Sequence, residues 1–293
     1  ELPDYAHTNM DSQDELKLFN DAQEIPAGPM HMVLKEQLEL FLSCQNLPKL
    51  DISSPSDPFV VIYEKRDKDS QFYEIDKTEI VRDNACPDFT KPIRIDYCFE
   101  EVQFIRLDVY DADTADISAL SKHDYVGRCE FTLADLVNQK HCVLRMEIKD
   151  KKGNACKNKK LPSMMIVRSE EVKQCHDQLM VQFAVSDLPK PGWTSKPNPY
   201  LQLYRQASDE GGWMSILRTK RFMSTQSAQW RRFKIPIQRL CNGDYSRPIL
   251  IKCFHDKDDK APMLIGQCVI TLQKLLDLQS EKLMNTENSV VGT

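Results

Sequence analysis

Five aspartates in the first half of this 293-residue chain form two groups, and each group directly follows an apolar run. Asp51 and Asp57 come just after Leu38 to Leu42, while Asp111, Asp113 and Asp124 follow Ile105 to Tyr110. Carboxylates gathered in one place repel one another unless a cation sits between them. Calcium suits such a place, because it takes six to eight oxygen ligands in a forgiving geometry. Both groups fall where the apolar pattern stops, so the chemistry belongs to loops and the runs before them are scaffold.

The elements that would position these loops are short. From Leu34 onward the sequence alternates or runs apolar over 37–44, 59–64, 71–82, 92–98, 103–110, 126–132, 142–148 and 163–168, with turn residues between. Eight such runs with almost no helical period predict an all-β antiparallel sandwich. The one helical patch, 132–139, reads as a connector. Residues 1–33 are acidic and hold three prolines without a sustained period, which reads as a flexible tail.

The second half repeats the first. Asp57 to Tyr63 matches Asn198 to Tyr204 at an offset of 141, and Gly127 to Leu133 matches Gly266 to Leu272 at 139. Ile105, Leu107 and Val109 align with Ile249, Ile251 and Cys253 at 144, so the first copy carries five extra residues in the loop after that strand. The expectation is two tandem eight-stranded sandwiches, at 34–170 and 177–293. After Asp277 the second copy has little sequence left for two final strands. Either the chain is a fragment, or the second copy closes differently.

Composition narrows the function. With only 9 Gly, the chain has no Gly-rich phosphate loop, and no apolar run is long enough to span a bilayer. A net charge of -5 argues against a globally basic nucleic-acid binder. The 10 Cys show no paired C-x-x-C spacing, and several (Cys44, Cys98, Cys129, Cys253, Cys268) sit inside strand patterns as reduced core thiols would. Cys241 and Arg247 have the spacing of a phosphatase loop, but Asp244 between them would repel phosphate. No constellation for turnover is visible, so the expectation is a protein that binds and is not an enzyme. Trp193, Trp213 and Trp230 read as core or loop packing.

An apolar strand, the pair Asp51 and Asp57 before Pro58, the run Val109-Tyr110-Asp111-Ala112-Asp113, and then Lys122 to Gly127 together resemble the C2 domain. The tandem is similar to the copines in particular, through the phrases 73–82, 97–102 and 166–171 and their second-copy counterparts 230–238 and 264–266. The resemblance covers about 34–285. Copines continue from two C2 domains into a von Willebrand factor A-like domain, which this sequence does not contain. The resemblance implies that Asp51 and Asp57 from the first loop, with Asp111, Asp113 and Asp124 from the third, hold Ca2+. Asp116 and Ser121 would be further ligands at the rim. In the lengthened third loop, Ile117 and Leu120 either dip into a bilayer or pack back on their own loop.

The same alignment puts Gly192, Asn198, His255, Lys257 and Met263 where the first copy has its five carboxylates, so the second copy is expected to have lost calcium binding. It offers basic strand residues instead, with Arg218, Lys220, Arg232 and Lys234 as candidates for anionic lipid headgroups. The lysine-rich segment 149–160 reads as a hairpin tip. The function implied is calcium-dependent docking of a cytoplasmic protein to anionic membranes, phosphatidylserine or phosphoinositides, with protein partners at the second copy and no nucleic acid. A calcium-independent interaction scaffold and a regulatory piece of a larger lipid-signalling protein remain open.

Overall fold

The apolar runs become antiparallel strands in the computed structural model, which describes residues 34–50, 56–68, 70–193, 195–207, 212–257, 260–277, 283–284 and 290–292. The acidic segment 1–33 lies outside the described residues. In the first copy β1 (Lys35–Gln45), β2 (Pro58–Lys65), β3 (Tyr73–Lys77), β4 (Ile93–Cys98), β5 (Phe104–Asp111), β6 (Asp124–Thr132), β7 (Val143–Glu147), the small hairpin of β8 (Lys157–Asn158) and β9 (Leu161–Pro162), and β10 (Met164–Glu171) follow in order. Two four-stranded sheets result, β4-β1-β10-β7 and β3-β2-β5-β6. Their inner faces meet in a core that includes Leu40, Leu42, Val60, Ile62, Leu107 and Val167. β1 runs straight into the first loop, and the closing strand β10 pairs beside it.

Local chemistry sets the ends of these elements. The alternation over 71–82 predicts a long strand, yet β3 stops at Lys77. Past that point the Thr78 hydroxyl accepts the Val60 N–H at 2.9 Å, so a side chain takes over from the ladder. The helical patch is a single short helix, α1 (Leu133–Val137), closed by a capping box in which the Thr132 hydroxyl accepts from the Asp135 N–H at 3.1 Å. In the lysine-rich segment Asp150 accepts from the Lys152 and Asn154 N–H groups, which makes the turn at the tip.

The second copy is built from β11 (Gln178–Val181), β12 (Ala184–Val185), β13 (Pro199–Gln206), β14 (Trp213–Arg218), β15 (Ala228–Gln229), β16 (Phe233–Pro236), α2 (Ile237–Cys241), β17 (Pro248–Lys257), β18 (Lys260–Thr271), α3 (Leu272–Asp277), β19 (Leu283–Met284) and β20 (Val290–Gly292). One sheet has the order β14-β13-β17-β18-β19-β20; opposite it stand the pairs β11-β16 and β12-β15. Among the described residues the chain after Asp277 adds its short strands at the edge of β18, so this copy closes differently from the first. Its core gathers Leu201, Leu203, Ile216, Ile235, Ile251 and Leu272.

Phe41 of β1 belongs to that second core, not to the first. Strand β1 is therefore buried on both faces: Leu38, Leu40, Leu42 and Cys44 point into their own sandwich, and Glu39 and Phe41 point into the other. At this junction Arg205 of β13 is fully buried and pairs with Glu170 at 2.6 Å and Glu39 at 3.3 Å. It also donates to the Gln238 and Arg239 carbonyls at 2.8 and 3.0 Å and lies over the Phe41 ring. Arg247 holds the other oxygen of Glu170, and Arg94 holds Glu39 at 3.2 Å. Residues Lys35–Thr293 thus form one compact unit.

Candidate calcium-binding loops

The first and third loops of the first copy meet where β2 begins and β5 ends. Pro58 pairs with Asp111 in the ladder, and Asp111 pairs across with Asp124, the first residue of β6. The Asp57 N–H donates to Asp111 Oδ1 at 2.6 Å, and Asp57 Oδ1 accepts from the Asp83 N–H at 2.7 Å. Asp111 is buried, while Asp113 and Asp124 are exposed. Asp51 lies outside the described residues. Among the described residues no three His, Cys, Asp or Glu side chains stand close enough together to hold a metal ion. The donor set is nevertheless all hard carboxylate oxygen and fits calcium in its chemistry. Two of its members, Asp57 and Asp111, are locked side by side by backbone amides.

The third loop is braced by a histidine. His123 is buried and stands edge-on to Phe59 with ring centroids 5.2 Å apart. Its Nδ1 accepts the Asp113 N–H at 3.3 Å, and its Nε2 faces the Asp116 carbonyl at 2.9 Å, so the ring spans the loop that carries the carboxylates. Nothing in the sequence distinguishes it from an exposed histidine.

Asp116 points its carboxylate at Ser118, accepting the hydroxyl at 2.6 Å and the N–H at 3.0 Å. Those bonds, the hydroxyl first, hold its carboxyl below the usual range. Ser121 is exposed and borders a shallow depression with Asp124, Tyr125 and Lys151. Ile117 and Leu120 are half-buried, and Lys77 donates to the Ile117 carbonyl at 3.0 Å, which ties the loop back toward β3.

The second copy repeats this framework with different chemistry. The Asn198 N–H donates to His255 Nδ1 at 3.0 Å, and Asn198 Oδ1 accepts the Ser224 N–H at 2.8 Å. Asn198 and His255 thus stand where the first copy has Asp57 and Asp111. His255 pairs with Met263 as Asp111 pairs with Asp124. The correspondence reaches further. Asp83 and Ser224 share a left-handed backbone, and the stacked rings of Phe59 and Tyr110 recur as Tyr200 and Phe254. Asp256 is turned to Arg221 at 3.1 Å.

The four candidate lipid cations do not share one strand face. Arg218 ends β14 with its guanidinium over the Tyr200 ring, and Lys220 follows it, exposed. Arg232 and Lys234, also exposed, lie beside and within β16 on the opposite sheet. Cys241 is buried, and burial pushes its thiol up, away from the thiolate that a phosphatase loop needs. Trp230 is buried, but Trp193 is fully exposed at 101 %. The packing expected for Trp193 is therefore not found.

Paired antiparallel sandwiches with carboxylate-bearing loops at one end define a class of β-sandwich binding module. The C2 domain family matches residues 39–152 and 178–287, and the chain belongs to that family, with two C2 domains in tandem. C2 domains commonly bind calcium and are typically non-enzymatic. The chain is homologous to Nicotinic receptor-associated protein 1 of Caenorhabditis elegans, 33% identical over 274 residues, covering 83% of this chain and 43% of that protein. The protein of the same name in Caenorhabditis briggsae is 34% identical over 248 residues, covering 76% of this chain and 38% of that one. The chain therefore spans about two fifths of the length of these relatives. A calcium-bound pair of C2 domains from Extended-Synaptotagmin 2 matches at 14% identity and a TM-score of 0.33, covering 88% of this chain and 94% of that one. A likeness at that score says nothing of function.

Proposed function

We propose that this chain is a copine-type pair of C2 domains that docks on anionic phospholipid when calcium fills the loops of its first copy. Asp51, Asp57, Asp111, Asp113 and Asp124 would hold the ion, with Asp116 and Ser121 at the rim. Calcium bound there supplies positive charge, turning an acidic loop end that repels an anionic leaflet into one that attracts it. The work is binding without turnover, and the setting is the cytoplasmic face of the plasma membrane or another anionic membrane. A protein partner, as the name of the relatives states for them, would be met alongside the membrane.

One observation carries this reading. The second copy keeps the same two hydrogen bonds with an amide and an imidazole in place of two carboxylates. The fold therefore does not need the charge. Two adjacent carboxylates cost repulsion that neutral residues would avoid, and a cation ligated by both relieves it. The test is sedimentation with phosphatidylserine vesicles, in calcium and in chelator, of the wild type and of Asp57→Asn and Asp111→Asn. Asn retains an acceptor for each amide, so both variants are expected to fold normally. Their calcium-dependent pelleting is expected to fall at least about tenfold, as for a lost charged ligand. Undiminished calcium-dependent pelleting of both would sink the proposal.

A further inference from the structure

We infer that Ser224, in the loop between β14 and β15, is a phosphoacceptor for a protein kinase directed by basic residues. Phosphate there supplies the negative charge that the first copy builds in. The equivalence is geometric. The Ser224 N–H donates to Asn198 Oδ1 at 2.8 Å, as the Asp83 N–H donates to Asp57 Oδ1 at 2.7 Å. Asp83 and Ser224 stand 141 residues apart, as Asp57 and Asn198 do, and both have a left-handed backbone with φ of 52° and 47°. The same loop corner therefore carries a carboxylate in one copy and a hydroxyl in the other. A hydroxyl can acquire that charge, since a phosphoserine carries about −1.5 to −2 near pH 7.

The corner is accessible. The Phe222 N–H donates to the Pro199 carbonyl and the Thr225 N–H to the Pro197 carbonyl, each at 2.9 Å. Between these ties Met223 and Ser224 are exposed. Neighbouring hydroxyls are engaged: Thr219 accepts the Leu201 N–H at 2.9 Å, and Thr225 donates to the Ser227 carbonyl at 2.5 Å. The Ser224 hydroxyl has no such bond among the described residues. Arg218, Lys220 and Arg221 precede it by six, four and three residues, and 218–226 contains no carboxylate. Cations on one side of an exposed hydroxyl are what an acidic substrate groove of a kinase would attract. In the transfer Ser224 Oγ bonds the γ-phosphorus of Mg-ATP and the bond to the β-phosphate oxygen breaks. ADP leaves, and the hydroxyl proton passes to the catalytic carboxylate of the kinase. Arg221, now 3.1 Å from Asp256, is close enough in the chain to turn its planar fork to the new phosphate.

The experiment incubates the folded full chain with Mg-ATP and the catalytic subunit of cyclic-AMP-dependent protein kinase as a basophilic probe, and maps the product by mass spectrometry. One phosphoryl group at Ser224 is expected. It should be absent from Ser224→Ala and form at least about tenfold more slowly in Arg221→Gln. No transfer to the folded chain overturns the inference, and so does transfer only after heating, or transfer that Ser224→Ala leaves undiminished. The role of the charge is read separately, in thermal melts at low salt. Ser224→Asp and Ser224→Asn both suit a left-handed backbone, so their difference isolates the charge. Beside Arg218, Lys220 and Arg221, Ser224→Asp is expected to melt above Ser224→Asn, and the gap to close as salt screens it. A Ser224→Asp midpoint at or below that of Ser224→Asn overturns that role. Neither measurement involves calcium or lipid, so the reading proposed above and this one fail separately.

Discussion

Asp57 and Asp111 occupy positions where the fold asks only for a hydrogen-bond acceptor, as Asn198 and His255 demonstrate in the same chain. What the carboxylates add is charge, and charge at a loop end matters for what binds there. Asp108, three residues earlier on β5, shows the opposite balance. It is buried beside Arg106 at 3.2 Å, yet burial outweighs that partner and pushes its carboxyl above the usual range. A carboxyl raised by folding contributes stability below its unfolded pKa, and loses it as pH rises through the folded value. Asp108→Asn is thus expected to leave the thermal midpoint at pH 7 equal to or above that of the wild type. The difference should shrink as the pH falls below about 4, where the wild-type carboxyl is protonated in both states. A midpoint at pH 7 well below the wild type, in a thermal melt, would show that the Arg106 pairing dominates instead.

At the scale of elements, the loops are aimed by strands whose register is set by close contacts. Gly127 in β6 is one: a Cβ there would lie 2.7 Å from the Lys149 carbonyl and 2.8 Å from Ile148 Cγ2. The close approach lets the 148–156 segment bond to β6, with the Arg128 and Lys149 amides and carbonyls exchanged at 2.8 and 2.9 Å. Gly127→Ala must shift backbone and is expected to cost about 1–3 kcal/mol, measured by urea unfolding. A cost under about 0.5 kcal/mol would mean that the segment yields freely. Strand positions were legible in the sequence because a half-buried sheet imposes a period of two on its residues. The Lys77 end of β3 was not, because it depends on the Thr78 hydroxyl finding an amide on another strand.

At the scale of the whole molecule, the two C2 domains share a buried ionic junction. Burial works against the charge on Arg205 and pulls its pKa down, while Glu170 and then Glu39 oppose that shift. Such a group is held in place by having every partner present, and removing one side of a buried pair typically costs about 3–5 kcal/mol. Arg205→Met is expected to destabilise the chain by that amount, because Glu39 and Glu170 would keep their burial with less compensation. Adding Glu39→Gln should recover part of the loss, which a double-mutant cycle measures. A cost below about 1 kcal/mol would show the junction to be loose.

By itself the sequence determined the all-β class, the repeat, and the positions of the carboxylates and of the residues replacing them. Those are properties of local period and of spacing along the chain, which a strand preserves when it folds. Only the tertiary structure decided that β1 is buried on both faces, that Glu39 meets an arginine 166 residues away, that His123 braces the third loop, and that Trp193 faces solvent. Burial and pairing depend on what the rest of the chain brings alongside a residue. Partners so distant in sequence leave no mark in the pattern around either one.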